Sequence, residues 1–150
     1  MAQPGCPELW SEARQVTAAD RPLGLLLVED EEMNRILLRA VLGRAADAWI
    51  RGAIVFEAAS LAATRALLAD PSMHIDVALL DVQLTDGSGL DLVREIVARV
   101  PRPKVVVMTA GVLLPQREAA ERAGCDAFLS KPYMPHELLD TLATLSPRAA

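Results

Sequence analysis

Short, unbroken apolar runs recur along this chain and alternate with stretches of helical spacing. That alternation constrains the fold more than any other feature. The runs are LGLLLVED from residue 23, AIVFEA from 53, IDVALLD from 75, KVVVMTA from 104 and DAFLS from 126. None alternates apolar with polar residues, as a strand with one wet face would. Continuous runs mark strands buried on both faces, which is the habit of parallel sheets covered by helices on either side. The intervening segments supply those helices. Met33, Ile36, Leu37, Ala40 and Val41 recur at helical spacing, with Gly43 as a stop. Ser60 is placed to cap LAATRALLA, which Asp70-Pro71 ends. Further helices are predicted over residues 90–100, within 115–123 and over 135–145, the last with Pro135 in its first turn. The pattern predicts an α/β fold: a five-stranded parallel sheet with helices on both faces.

In such sheets ligands bind outside the carboxyl ends of the strands. The chemistry of this chain collects there. The first run ends on Glu29-Asp30, the third on Asp81, the fourth on Thr109 and the fifth on Ser130-Lys131-Pro132. Three carboxylates at one sheet edge repel one another. A like-charge pair about 4 Å apart costs about 4 kcal/mol at an effective dielectric near 20. Such a cluster calls for cations. Oxygen ligands in a cramped, partly hydrated site suit Mg²⁺, and Lys131 adds a further positive charge. Each residue also has a plainer reading. Asp30 can cap the first helix, Asp81 can serve a turn, Thr109 can be an ordinary strand residue, and Lys131 can be a solvated charge. Their coincidence at one edge, in strand order, favours a site.

The motifs LLLVEDEEMNR, VALLDVQLTDGSGLDL, VVVMTAG and AFLSKPY resemble those of the response-regulator receiver domains of two-component signalling and phosphorelays. The resemblance runs over residues 23–145. It implies the flavodoxin-like, doubly wound strand order 2-1-3-4-5, which the residues alone do not show. It also implies roles. Asp81 resembles the phosphoacceptor, Asp30 the direct Mg²⁺ ligand and Glu29 its water-mediated neighbour, with the backbone carbonyl of Gln83 completing the metal's protein ligands. Thr109 and Lys131 resemble the residues that bind the phosphoryl oxygens, Lys131-Pro132 a cis peptide bond, and Thr109 with Phe128 a switch pair. A plain core role is the other reading of Phe128. The implied partners are a histidine kinase or a histidine phosphotransfer protein, and an output protein on the 113–145 face. A homodimer is compatible with the resemblance.

Some positions depart from the family's pattern. Thr85 stands where proline is common, Met134 is a poor helix cap, and residues 44–52, with Trp49, lengthen the first helix-to-strand connection. Other classes fit less well. An aspartyl-phosphate phosphatase of the haloacid dehalogenase type needs a second aspartate where Gln83 stands. A flavodoxin needs a phosphate loop where VEDEEMN is acidic. The net charge of −5 argues against nucleic-acid binding. Cys6 and Cys125 have neither metal nor disulfide spacing. No apolar run approaches the roughly 20 residues of a membrane span. A cytoplasmic receiver over residues 23–146, flanked by tails at 1–22 and 147–150, is the resulting expectation, either stand-alone or cut from a hybrid histidine kinase.

Overall fold

A computed structural model describes residues 21–110 and 114–145. The expected tails therefore lie almost wholly outside the described residues. Strands β1 (Gly24–Val28), β2 (Ile54–Ala58), β3 (Val77–Asp81), β6 (Lys104–Thr109) and β7 (Ala127–Ser130) form one sheet. Its order is β2-β1-β3-β6-β7 and every pairing in it is parallel. In chain order of the five strands this is 2-1-3-4-5, as expected. Helices α1 (Glu32–Gly43), α2 (Ala48–Arg51), α3 (Leu61–Leu68), α4 (Gly89–Val97) and α5 (Leu114–Ala123) lie between the strands, and α6 (Pro135–Leu145) follows β7. A two-stranded antiparallel ladder, β4 (Gln83–Leu84) with β5 (Gly87–Ser88), follows β3 and was not foreseen.

The unbroken apolar runs are explained by the two cores. Along β1 and β3, Leu25, Leu27, Val77 and Leu79 face a core completed by Leu38, Leu42, Trp49, Ile50, Leu138 and Leu142. Leu26, Val28, Ala78 and Leu80 face the opposite core, with Leu61 of α3, Leu92, Val93 and Ile96 of α4, and Ala120 and Ala123 of α5. Successive strand residues point to opposite faces, so both sets must be apolar.

Of the expected apolar stripe of α1, Val41 packs against the core, but the buried face is turned from that stripe by about a third of a turn. Leu38 and Leu42 are buried, whereas Met33, Ile36 and Leu37 are more than half exposed. Both stripes satisfy helical spacing. Asn34 and Arg35 decide between them: the Arg35 guanidinium donates to the Glu29 carbonyl at 2.8 Å, which turns that side of the helix inward. Residues 44–52 also acquire a role. Asp47 accepts from the Trp49 and Ile50 amides at 2.8 and 3.4 Å, starting the short α2 and delivering both apolar side chains to the core. The Trp49 indole donates to the Arg21 carbonyl at 3.2 Å. Ser60 caps α3 through the Ala63 amide, as its sequence position predicted.

Candidate functional site

The carboxyl ends of β1, β3, β6 and β7 converge at one sheet edge. Parallel pairing sets this arrangement: Val28 lies beside Leu80, Asp81 beside Met108 and Thr109 beside Ser130. Glu29 and Lys131 are the residues that directly follow β1 and β7. The Lys131 ammonium donates to Glu29 Oε2 at 2.8 Å and to Asp81 Oδ2 at 2.9 Å. The Lys131 amide donates to the Thr109 carbonyl at 2.8 Å. The Lys131-Pro132 bond is cis, as the resemblance implied.

The two carboxylates differ in environment. Glu29 is almost fully buried. Burial pushes its carboxyl up, but bonds from Lys131, from Asn34 at 3.3 Å and from the Glu31 amide at 3.4 Å outweigh it and hold Glu29 below its ordinary range. Asp81 moves the other way. Burial raises it, and the Gln83 amide at 2.9 Å and Lys131 only partly offset that rise, to which the charge of Glu29 adds. Lys131 is also buried in part, which lowers it, but its two carboxylate partners raise it further. The two acids thus share one cation but shift in opposite directions.

Asp30 is half-buried beside them. Glu29, Asp30 and Asp81 each offer a carboxylate oxygen within 4.8 Å of the others. Three acids against one ammonium leave excess negative charge, and their hard oxygen donors suit a small divalent cation. Asp30 does not cap α1. That helix is preceded by Glu31 and has no side-chain cap.

Thr109 is buried at the end of β6, in step with Val105 and Val107 on the face covered by α4 and α5. Phe128 pairs in register with Val107 and packs on the same face. Its ring is half-buried, with the Arg117 guanidinium of α5 5.8 Å from its centroid. The expected switch pair thus shares one side of the sheet. Beside the cluster, a groove of about 890 Å³ runs between α1 and the β7–α6 connection, lined by Glu29, Leu37, Val41, Lys131, Tyr133 and Leu139. Of its lining residues, Leu37 of α1 is more than half exposed.

Asn34 and Arg35 were missed as site residues. The signal was available: two adjacent polar side chains in the first turns of α1, one turn after the acidic pair. Asn34 bridges Glu29 and Glu31, the latter at 3.2 Å. Met134 has no cap side chain to offer, yet Glu137 Oε1 accepts from its amide at 3.3 Å, which is one half of a capping box.

The sheet order and this edge define a class of protein, and comparison with known proteins agrees. Residues 25–143 match the family Response regulator receiver domain. The chain belongs to that family, whose members are signalling domains that accept a phosphoryl group. It is 40% identical over 116 residues to the Aerobic respiration control sensor protein ArcB of Escherichia coli K12, covering 73% of this chain and 13% of that protein. It is 28% identical over 123 residues to the Polar-differentiation response regulator DivK of Brucella ovis, covering 79% of this chain and 91% of that one. A CheY-like receiver domain from Methanospirillum hungatei superposes with a TM-score of 0.70 at 24% identity, covering 81% of this chain and 91% of that chain, which supports the fold. Among the described residues no helix is long and apolar enough to cross a membrane.

Proposed function

We propose that this receiver takes a phosphoryl group onto Asp81 from a histidine-phosphorylated protein and signals through the state of that aspartate. The carrying observation is the setting of the Asp81 carboxylate. One oxygen is held by the Gln83 amide at 2.9 Å and the other by Lys131 at 2.9 Å, beside two further acids at the sheet edge. A pinned, ionised carboxylate of raised basicity is a competent nucleophile. Its oxygen attacks phosphorus, the P–N bond of the donor breaks, and the electron pair leaves with the imidazole, which takes a proton. The product is an acyl phosphate on Asp81.

Phosphoryl transfer needs positive charge and donors around the equatorial oxygens. Lys131 is in place for that, and the hydroxyl of Thr109 lies on the neighbouring strand end. Asp30 and Asp81, with the Gln83 carbonyl, would hold Mg²⁺ directly, and Glu29 would hold it through water. When bound, the ion supplies the charge that the acids otherwise lack. Catalysis is then confined to the domain's own phosphorylation and dephosphorylation. Gln83 occupies the position where a haloacid dehalogenase-type phosphatase needs its acid, which disfavours turnover of an external substrate.

The donor must be a protein that seats a histidine at this edge. The exposed apolar side chains of α1, Leu37 at the groove and its neighbour Ile36, fit the face of such a partner: a histidine kinase or a histidine phosphotransfer protein. The chain spans about an eighth of the sensor protein ArcB, so a receiver portion serving a sensor fits that similarity, in a cytoplasmic setting. Uptake of radiolabelled phosphoryl groups from a phosphorylated histidine phosphotransfer protein tests this. Wild type should be labelled in Mg²⁺. Leu37→Glu should be labelled slowly by the protein donor but normally by a small phosphodonor. Equal loss with both donors would contradict a docking role for α1.

A further inference from the structure

Asp86 lies in the loop after Asp81, in the turn between β4 and β5, yet its side chain is spent on a different element. Its Oδ1 accepts from the Leu61 amide at 2.9 Å and its Oδ2 from the Ala62 amide at 3.1 Å, at the start of α3. These bonds, Leu61's foremost, hold the Asp86 carboxyl below its ordinary range. The helix already has its own cap, since Ser60 Oγ takes the Ala63 amide at 3.0 Å and the Ser60 carbonyl takes the Thr64 amide. A carboxylate from another segment therefore does more than start the helix. It anchors the turn.

The rest of the loop is seated as closely. Gly87 has φ of +148°, and a Cβ there would stand 2.7 Å from Leu61 Cδ1. A Cβ on Gly89 would stand 2.6 Å from the Asp81 carbonyl oxygen and 2.8 Å from Val82 Cα. The Gly89 amide donates to the Val82 carbonyl at 2.9 Å. The β4–β5 ladder is thus clasped between α3 and the end of β3. Its first residue, Gln83, gives its amide to Asp81 Oδ1. Thr85 lacks the ring that would stiffen a proline at this position, so the tie to α3 must do the stiffening.

We infer that Asp86 is a positioning residue for phosphoryl chemistry at Asp81: it ties the β4–β5 turn to α3 and so holds the Gln83 peptide against the acidic cluster. This rests on the reading of Asp81 as phosphoacceptor. Supporting groups of this kind affect metal affinity or activity by about 10- to 100-fold when removed. The inference places Asp86, which contacts none of the acids, in that role.

The test uses the full chain as wild type, Asp86→Ala, Asp86→Asn and Ser60→Ala. Amide exchange at Gln83 is read without metal, Mg²⁺ affinity by calorimetry, and labelling rate at saturating Mg²⁺ with a small phosphodonor. Asp86→Ala should speed Gln83 exchange and weaken Mg²⁺ binding by about tenfold. Asp86→Asn, keeping one acceptor oxygen, should fall between, and it carries the test if Asp86→Ala does not fold. Ser60→Ala weakens the same helix start without touching the turn, so it should lower thermal stability but leave Gln83 exchange and Mg²⁺ affinity as in wild type. Wild-type exchange and affinity in the Asp86 variants, or the same losses in Ser60→Ala, would overturn the inference. If wild type itself takes no label, the phosphoacceptor reading falls, and Gln83 exchange in the metal-free protein still decides what Asp86 holds.

Discussion

Lys131 Nζ stands 2.9 Å from Asp81 Oδ2, joining the end of β7 to the end of β3 across the intervening strand β6. The same ammonium reaches Glu29 on the far side of β3, at 2.8 Å. One cation therefore serves two buried acids from neighbouring strands. An incoming divalent ion would have to share those acids with it.

That sharing predicts opposite effects from one substitution. Lys131→Met leaves Glu29 and Asp81 without their cation, and removing one partner of a buried pair costs roughly 3 kcal/mol or more; Lys131 is partly exposed, so we expect about 2–3 kcal/mol. Urea unfolding without Mg²⁺ should show this loss. Calorimetry should show tighter Mg²⁺ binding, because a competing charge is gone. Labelling should nonetheless slow, since phosphoryl oxygens lose Lys131. Weaker Mg²⁺ binding in Lys131→Met would contradict this picture of the site.

The two acids predict a pH dependence of stability in metal-free protein. Asp81 is raised, chiefly by burial, so the folded state holds its proton more tightly than the unfolded chain does. The stability from its neutral form is present below its ordinary value of 3.8 and is lost as pH rises through its higher folded value. Glu29 is lowered: burial raises it, and the bonds from Lys131, Asn34 and the Glu31 amide together outweigh burial. Its contribution is present above its ordinary value of 4.5 and is lost as pH falls through its lower folded value. Asp81→Asn removes only the first contribution. It should be more stable than wild type at neutral pH without Mg²⁺, and the difference should shrink as the pH is lowered past Asp81's folded value. Urea midpoints across pH check this, and an Asp81→Asn protein less stable than wild type at pH 7 would refute it.

The fold was legible because buried parallel strands leave an unmistakable trace: Leu25 to Val28 and Val77 to Leu80 must be apolar on both faces. The strand order was not legible from the residues; it came with the resemblance. Glu29, Asp81 and Lys131 were legible as a cluster because strand ends are easy to place, and the structure joins them. The facing of α1 was not, since Leu38 and Leu42 compete with Met33, Ile36 and Leu37 under the same period. The role of Asp86 was hidden because its carboxylate binds the Leu61 and Ala62 amides, partners far away in the chain that only tertiary structure brings near, whereas Asp47 and Asn34 bond to near neighbours in sequence.

Metal affinity should rank the acidic pair. Glu29 is already engaged by Lys131, Asn34 and the Glu31 amide, so less of it is available to an ion. Asp30→Ala should therefore weaken Mg²⁺ binding more than Glu29→Gln does. Calorimetry is the readout, and equal affinities in both variants and wild type would contradict the ligand assignment.

Arg117 over Phe128 predicts a bias in the switch. An exposed cation–π contact is worth about 0.5–1 kcal/mol, or roughly a two- to fivefold population change. Arg117→Ala should free the ring and move the domain toward the form favoured by a beryllofluoride mimic of the phosphoryl group. Amide shifts of residues 127–130 should move part of the way toward the mimic-bound positions. Shifts confined to α5 would leave Phe128 as core packing.

The most direct test of the central claim is to locate the phosphoryl group. The protein is labelled with a small phosphodonor in Mg²⁺, the acyl phosphate is trapped by borohydride reduction, and the modified peptide is read by mass spectrometry. The account predicts a hydroxylamine-labile label, dependent on Mg²⁺, at Asp81 alone, and none in Asp81→Asn. A label on another residue, or equal labelling of wild type and Asp81→Asn, would contradict it.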